Sequence, residues 1–424
     1  MKVYLDSIGC RLNQSEIEQY AAQFRSAGHE IVSTAGEADL VVINTCAVTA
    51  QAASDSRQKV RQAGKLIHEG GEILLTGCWA TLEPQSSQHL AGGVRVIPNL
   101  QKDHLVQDVL GLTLFDLEPL ARVPIPGIHH RTRAFIKAQD GCDNHCTFCV
   151  TRIARGAARS RPVGEVLADV RRAIEGESKE IILTGVHLGS WGQDFDPPLH
   201  IYDLVSSLLS LEGNLRLRLS SLEPWDLDAR FFGLWQNPRL CRHIHLPLQS
   251  GCEETLKRMA RKTTPAAFAM LVEQARKSSP QIAITTDVIV GFPGESELEF
   301  SQSLAFVREM NFAGGHVFNY SARPGTAAAR MAKQVPLEVR KERSAQMRAV
   351  LLEAEARYYQ QFLGNQVEVL WEATDQLGPS GWRLQGLSEN FLRISAYHPE
   401  RLWNQISRVK LDRLNGAVFE GTIL

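Results

Sequence analysis

The sequence predicts an α/β protein in three parts: a small N-terminal doubly wound α/β domain, a partial (βα)6 barrel, and a small C-terminal all-β barrel of the OB-like kind. Three observations carry this. Short apolar runs alternate with amphipathic helical stretches along most of the chain. A Pro/Gly/basic stretch, Val123-Pro124-Ile125-Pro126-Gly127, interrupts that alternation once. After Gly364 the helical period disappears and short alternating strands take over. A length of 424 residues suits two or three domains.

In the first part, residues 1–118, Val3-Tyr4-Leu5 reads as a strand. Asn13 is the expected cap of a helix with apolar positions Ile17, Tyr20, Ala21 and Phe24, ending at Gly28. Leu40-Val41-Val42-Ile43 is an apolar run of the buried parallel-strand type. A helix over about 52–68 and a strand at Ile73-Leu74-Leu75 follow. Residues 119–133 read as a linker. The second part, 134–335, holds six expected strands: Ala134–Ala138, Glu180–Leu183, Leu215–Leu219, Ile244–Leu248, Ile284–Val290 and Gly315–Asn319. Helical stretches separate them, as in a parallel barrel, with an open side for a large substrate. Residues 336–363 read as one long connecting helix with a face of Leu337, Met347, Val350, Leu351, Ala354 and Tyr358. Residues 364–424 form the small barrel, of a type often used on RNA. Core packing is the first expectation for its aromatic residues Trp382, Phe391, Tyr397 and Trp403.

Composition excludes several classes. At 44% hydrophobic and 22% charged, the chain reads as globular, with no apolar run long enough to span a membrane. It opens directly on a strand-like segment without a secretory signal, so a cytoplasmic location with reduced thiols is expected. Its eight cysteines are then ligands or core residues rather than disulfides. A net charge of −1 announces no nucleic-acid binder, yet arginines cluster after residue 150, along 340–348 and in the tail. Each cluster taken alone reads first as a solvated face.

Cys142, Cys146 and Cys149 stand in a CxxxCxxC run just after an expected strand, at the catalytic end of a barrel. Three thiolates hold three irons of a [4Fe-4S] cluster and leave the fourth iron open to a substrate. Phe148 precedes the last cysteine. A structural zinc site is the competing reading. Zinc takes four closed ligands, usually as two pairs, and no second CxxC exists here. His145, inside the motif, reads as a solvated loop residue. Cys10, Cys46 and Cys78 each follow the C-terminal end of an expected strand, where open parallel sheets bind ligands. They are candidates for a second three-thiolate centre; the plainer reading is three inert buried thiols.

With these motifs the chain resembles the radical S-adenosylmethionine (SAM) methylthiotransferase family over essentially its whole length. Further matches are Ser220-Ser221-Leu222-Glu223-Pro224, the run from His245 to Gly251, the run from Asp287 to Glu295, and the run from Tyr320 to Thr326. The resemblance implies an N-terminal methylthiotransferase domain, a radical SAM barrel and a C-terminal TRAM domain. It implies two [4Fe-4S] clusters, one on Cys142, Cys146 and Cys149 that cleaves SAM to a radical, the other on Cys10, Cys46 and Cys78 that supplies sulfur. Phe148, Gly185, His187, Ser221, Glu223, Gln249 and Val290 are the expected SAM-binding residues; for Ser221 and Val290, strand packing is an equal alternative. Arg155 and Arg323 are expected to meet the RNA or a substrate carboxylate.

The segments Ser7–Gln14 and Asn44–Thr49, followed by Ser56-Arg57-Gln58, resemble the branch acting on threonylcarbamoyl-adenosine of tRNA. That implies a tRNA anticodon stem-loop as partner, a reductant such as flavodoxin or ferredoxin, and a monomeric enzyme. The sister branches act on isopentenyl-adenosine or on an aspartate of a ribosomal protein. One departure stands out: Arg152 occupies a position where the family usually has proline. An RNA-binding electron carrier is the non-enzyme reading, but such carriers complete four ligands per cluster.

Overall fold

The computed structural model describes residues 1–424 except 112–122, 124, 126–131, 214 and 379. The expected linker over 119–133 lies almost wholly outside the described residues. The chain divides into two compact units. One comprises residues 1–145, 149–177 and 184–186, the other residues 146–148, 178–183 and 187–424.

In the first unit, β1 (Lys2–Ser7), β2 (Glu30–Ile31), β3 (Leu40–Thr45), β4 (Glu72–Gly77) and β5 (Val94–Val96) form a parallel sheet in the order β2-β1-β3-β4-β5. Side chains alternate across a strand, so β3 feeds two cores at once. Val41 and Ile43 pack with Ala53, Val60 and Ala63 of the helix Ala50–Leu66. Leu40 and Val42 pack with Ile17, Tyr20, Ala21 and Phe24 of the helix Arg11–Ser26. Helices therefore cover both faces, as a doubly wound sheet requires. The helix cap differs from expectation. Cys10 holds the N-cap position, and Asn13 lies inside the first turn. The Asn13 amide instead donates to the carbonyls of Ile8 (2.8 Å) and Thr45 (3.1 Å), joining the loops after β1 and β3. β6 (Arg133–Asp140) pairs antiparallel with the short β7 (Arg159–Ser160).

In the second unit, parallel pairing runs from β8 (Glu180–Gly185), through its residues 180–183, to β9 (Arg216–Leu219). It continues through the bridges Leu217–Leu240 and Ser221–His245 to β10 (His243–His245), β11 (Ala283–Val290) and β12 (Gly314–Asn319). Helices Ile201–Leu209, Pro265–Ser278 and Glu297–Met310 fall between successive strands. β10 is shorter than the expected Ile244–Leu248. Pro247 has no N–H for the ladder, and pairing resumes only at Gln249, whose N–H donates to Asp287 and whose carbonyl accepts from Ile289, each at 2.8 Å.

The helix Leu337–Gln360 buries Met347, Val350, Leu351, Ala354 and Tyr358 as expected, but Leu337 is 51% exposed at its first turn. Beyond it, β13 (Gln366–Gly378), β14 (Gly381–Ser388), β15 (Arg393–His398), β16 (Ile406–Asn415) and β17 (Val418–Ile423) close a barrel in the order β13-β14-β15-β17-β16. Its interior holds Val369, Trp371, Leu384, Ile394, Val409, Leu411 and Phe419, packed with Tyr358 and Tyr359 of the helix and Phe362 just beyond its end. Arg218 of β9 anchors this barrel, donating to the carbonyls of Ser388 (3.0 Å) and Glu389 (3.1 Å) while paired to the buried Glu180. Among the described residues no helix is long and apolar enough to cross a membrane.

Candidate metal centres and their surroundings

β1, β3 and β4 are neighbours, so their C-terminal ends lie side by side, and a cysteine follows each. Cys10 caps the helix after β1, Cys46 follows β3 directly, and Cys78 opens the helix Cys78–Leu82 after β4. Two glycines permit this crowding. Gly9 has φ +99°, and a Cβ there would fall 2.5 Å from the Cys46 sulfur. Gly77 has φ +92°, and its Cβ would sit 2.2 Å from the Thr45 carbonyl oxygen. Burial raises the Cys46 thiol to about 11, and the neighbouring Cys10 and Cys78 add to the shift. Cys10 as a residue is exposed, yet its sulfur lies 3.6 Å from Asn13 Oδ1, and desolvation there raises it too, partly offset by Arg155.

The sulfurs face donors. Arg155 Nε donates to Cys78 Sγ at 3.3 Å, and Asn99 Nδ2 lies 3.8 Å from the same atom. N–H groups aimed at sulfur are the usual outer shell of an iron–sulfur centre. Among the described residues no three His, Cys, Asp or Glu side chains converge tightly enough to hold a single metal ion. Donors of this kind suit thiolate sulfurs.

Arg155 corrects an expectation. It is 2% exposed and meets no open surface. Its Nη1 pairs with Asp140 (2.9 Å) and Glu16 (3.2 Å), and its Nη2 donates to Asn13 Oδ1 (2.7 Å). Lys102 reaches Glu16 (2.6 Å) and Asp140 (2.8 Å), and Lys137 joins them from Asp103. Burial works against each charge here, but Lys102, Arg155 and Lys137 hold Glu16 down at about 2. Asp140 is likewise held well below the carboxylate range despite its burial, by Arg155, Lys102 and Lys137. For Arg155 burial is outweighed by Cys78, Glu16, Asp140 and Cys10, which keep the guanidinium firmly charged. The network was missed in the sequence. Its one signal was a lysine and an aspartate, Lys137 and Asp140, in the β6 strand.

The segment from Gly141 to Val150 carries the other cysteines. Gly141 has φ +69°, and a Cβ there would fall 1.8 Å from the Ala157 carbonyl oxygen, so only glycine makes this turn. Cys142 and Cys149 belong to the first unit, Cys146 and Phe148 to the second. Backbone N–H groups of Asn144 and Thr151 donate to the sulfurs of Cys142 and Cys149, each at 3.4 Å. Arg261 Nη1 lies 3.8 Å from the Cys146 sulfur. Phe148 meets Phe292 edge to face at 6.5 Å. His145 is exposed, but not merely solvated: its Nε2 lies 2.7 Å from Arg152 Nη1, which also donates to the Asp143 carbonyl (3.1 Å).

The second unit sets several expected residues at the carboxyl ends of its strands. His187 Nε2 lies 2.6 Å from Asp226 Oδ2, with Trp225 edge-on to the imidazole. Glu223 is gripped by both terminal nitrogens of Arg261, whose guanidinium also stacks over Trp225 at 4.6 Å. Gln249 sits at φ +69°, a conformation non-glycine residues seldom adopt, kept by its two backbone hydrogen bonds. Ser221 is half-buried beside His245. Val290 is 1% exposed in β11, so it packs the core rather than lining an open surface. Gly185 ends β8 in the first unit.

Residues 2–97 match the model of an uncharacterized protein family, UPF0004, and residues 136–307 match the radical SAM superfamily. A threonylcarbamoyladenosine tRNA methylthiotransferase, MtaB, of Thermotoga maritima is 34% identical over 415 residues, covering 94% of each chain. The MtaB of Bacillus subtilis is 33% identical, covering 99% of this chain and 95% of its own. The chain belongs to the radical SAM methylthiotransferase family. A tRNA-2-methylthio-N(6)-dimethylallyladenosine synthase of Anoxybacillus flavithermus is 30% identical, covering all of this chain and 84% of its own. Among solved structures, the radical SAM methyltransferase TsrM of Kitasatospora setae, with tryptophan and a SAM analogue bound, superposes with a TM-score of 0.61. It is 13% identical, covering 77% of this chain and 75% of that one, so the likeness is of the fold.

One further contact set of this methylthiotransferase was not singled out from the sequence. His245 Nδ1 lies 2.9 Å from the Thr285 hydroxyl and its Nε2 lies 3.3 Å from Asp287 Oδ2, contacts that join β10 and β11. Arg323 lies in the loop after β12, half-buried, its carbonyl accepting from Thr326. In the tail barrel, Phe391 stacks on His243 at 4.1 Å and packs, partly buried, against the barrel core. Tyr397 is 57% exposed, opposite Arg383 in the β14–β15 register, and Trp382 carries Arg401 over its ring at 3.9 Å.

Proposed function

We propose that this chain adds a methylthio group to position 2 of threonylcarbamoyl-adenosine, next to the anticodon of tRNA. The observation that carries the reading is its 33–34% identity, over nearly full length, to proteins named for that reaction. The C2–H bond of adenine is strong and unactivated, beyond the reach of side-chain acids and bases, so cofactors carry the hard step. When bound, two [4Fe-4S] clusters and SAM supply the radical, the methyl group and the sulfur.

The chain's own residues hold and orient these groups. Cys142, Cys146 and Cys149 ligate one cluster; Cys10, Cys46 and Cys78 ligate the other. Phe148 flanks the SAM adenine. Gly185 and His187 hold the methionine end, with Asp226 fixing the His187 ring. Ser221, Glu223 and Gln249 line the pocket, and Val290 supports it from behind. Arg323 is the candidate partner for the substrate carboxylate or the RNA backbone. We read β6 and β8–β12 as a partial (βα)6 barrel, and β13–β17 as a TRAM domain that grips tRNA. A flavodoxin or ferredoxin supplies electrons to a cytoplasmic monomer.

Mass spectrometry of tRNA nucleosides from cells with and without the gene tests this. Loss of methylthio-threonylcarbamoyl-adenosine, restored by the gene, supports the reading. Loss of the methylthio-isopentenyl nucleoside instead assigns the sister branch, and no change in either overturns both.

A further inference from the structure

We propose that Arg155 is a positioning residue for the Cys10–Cys46–Cys78 centre, holding the Cys78 sulfur and tying that centre to the base of the segment that carries Cys142 and Cys149. The inference rests on the cluster reading of Cys10, Cys46 and Cys78 above.

Three observations converge. Arg155 donates to Cys78 Sγ through Nε at 3.3 Å, so one N–H of a buried guanidinium is committed to a candidate ligand sulfur. The same planar group is braced on its far side by Asp140, Glu16 and Asn13 at 2.9, 3.2 and 2.7 Å, which fixes the direction of Nε. A lysine, with a single charged nitrogen, cannot make these contacts together. Asn13 in turn faces the Cys10 sulfur, so the brace touches a second ligand of the set.

The third observation concerns the chain path. Asp140 ends β6 immediately before Gly141, and Arg155 ends the helix Thr151–Arg155 that follows Cys149. Their ion pair closes the loop at its base, reinforced by the Cys142 N–H on the Gly156 carbonyl at 3.1 Å. Asn99 adds a parallel link, donating to the Ala154 carbonyl (2.8 Å) while facing Cys78. Among the described residues, the buried shell around Arg155 contains one more cation than carboxylate: Lys102, Lys137 and Arg155 against Glu16 and Asp140, with Asp103 half exposed beyond Lys137. A thiolate-bound cluster with net negative charge suits that surplus.

The test uses the full chain with Cys142, Cys146 and Cys149 all changed to Ala, leaving one cysteine set. This parent, and the same chain with Arg155→Lys, Arg155→Met or Asn13→Ala, is reconstituted anaerobically with iron and sulfide. Iron and sulfide content, the midpoint potential of the cluster and the melting temperature of the metal-free protein are measured. The parent is expected to load a cluster. Arg155→Lys should lower cluster affinity about 10-fold or more and move the potential to more negative values, Arg155→Met further, and Asn13→Ala in the same direction but less. Variants that load fully at the parent's potential overturn the role of Arg155 alone. A parent that takes up no iron overturns the cluster reading and this inference together. Arg155→Lys keeps the charge, so its cluster content and potential decide the matter if Arg155→Met fails to fold.

Discussion

Arg261 grips Glu223 with both terminal nitrogens, Nη1 at 3.0 Å and Nη2 at 2.5 Å, and brings Nη1 to 3.8 Å from the Cys146 sulfur. One guanidinium thus ties an expected pocket carboxylate to an expected cluster ligand. Arg261 also donates to the Pro247 carbonyl at 2.8 Å, so its position is set by the backbone. Arg261→Lys keeps the charge but loses the fork. Reductive cleavage of SAM by the reconstituted protein, read as released 5′-deoxyadenosine, is expected to fall about 10- to 100-fold. Wild-type release from Arg261→Lys would show that the pair is only structural.

Glu16 predicts an acid dependence of stability. Its folded value is about 2, below its ordinary 4.5, because Lys102, Arg155 and Lys137 outweigh its burial. A carboxylate lowered by folding stabilises at pH above its unfolded value, and that stabilisation disappears as pH falls toward the folded value. Melting of the metal-free protein should therefore drop between about pH 4.5 and pH 2. Glu16→Gln should flatten that part of the profile while lowering the melting temperature at pH 7. An unchanged profile in Glu16→Gln would remove Glu16 as a source of acid lability.

Arg218 is fully buried against a fully buried Glu180, with Nε–Oε1 at 2.7 Å, and it holds two carbonyls of the C-terminal barrel. Arg218→Met takes away the 2.7 Å ion pair of Glu180, while Arg216 stays 3.1 Å from the same carboxylate. The expected loss is about 3 kcal/mol, the lower end for a broken buried pair, measured by urea denaturation. Adding Glu180→Gln should recover part of it, since a neutral amide costs less to bury than a carboxylate that has lost an ion-pair partner.

Arg152 lies in the first turn of its short helix, where proline is tolerated because the first N–H groups have no intrahelical partner. Arg152→Pro should leave stability within about 0.5 kcal/mol, since the contacts it loses, to Asp143 and His145, are exposed. Cysteine-alkylation rates in the metal-free protein should rise at Cys142 and Cys146 as the intervening loop loses its tether. Equal rates would mean that Arg152 does not order that loop.

Most of the architecture was legible because it rests on period. The alternation of β3 and the helical spacing of Ile17, Tyr20 and Phe24 announce a two-faced sheet before any contact is known. The six candidate cysteines were legible because ligand type and spacing are local in one set and repeated at strand ends in the other. Asn13 was misread because a cap and a side-chain clamp use the same residue types, and only the neighbouring strand shows which carbonyls it meets. The shortening of β10 at Pro247 was visible in principle, since proline cannot donate to a ladder.

The sequence alone determined the α/β order, the small closing barrel and the two three-cysteine patterns, because hydrophobic period and ligand spacing are properties of neighbouring residues. The tertiary structure decided what Arg155 is. A run of arginines after a cysteine motif looks like a surface for phosphate or carboxylate. Folding instead brings Glu16, Asn13, Cys78, Lys102 and Asp140, far apart in the chain, around that one side chain. Burial makes an unpaired charge prohibitive and a paired one highly directional, so long-range packing, not local sequence, sets the role of such a residue.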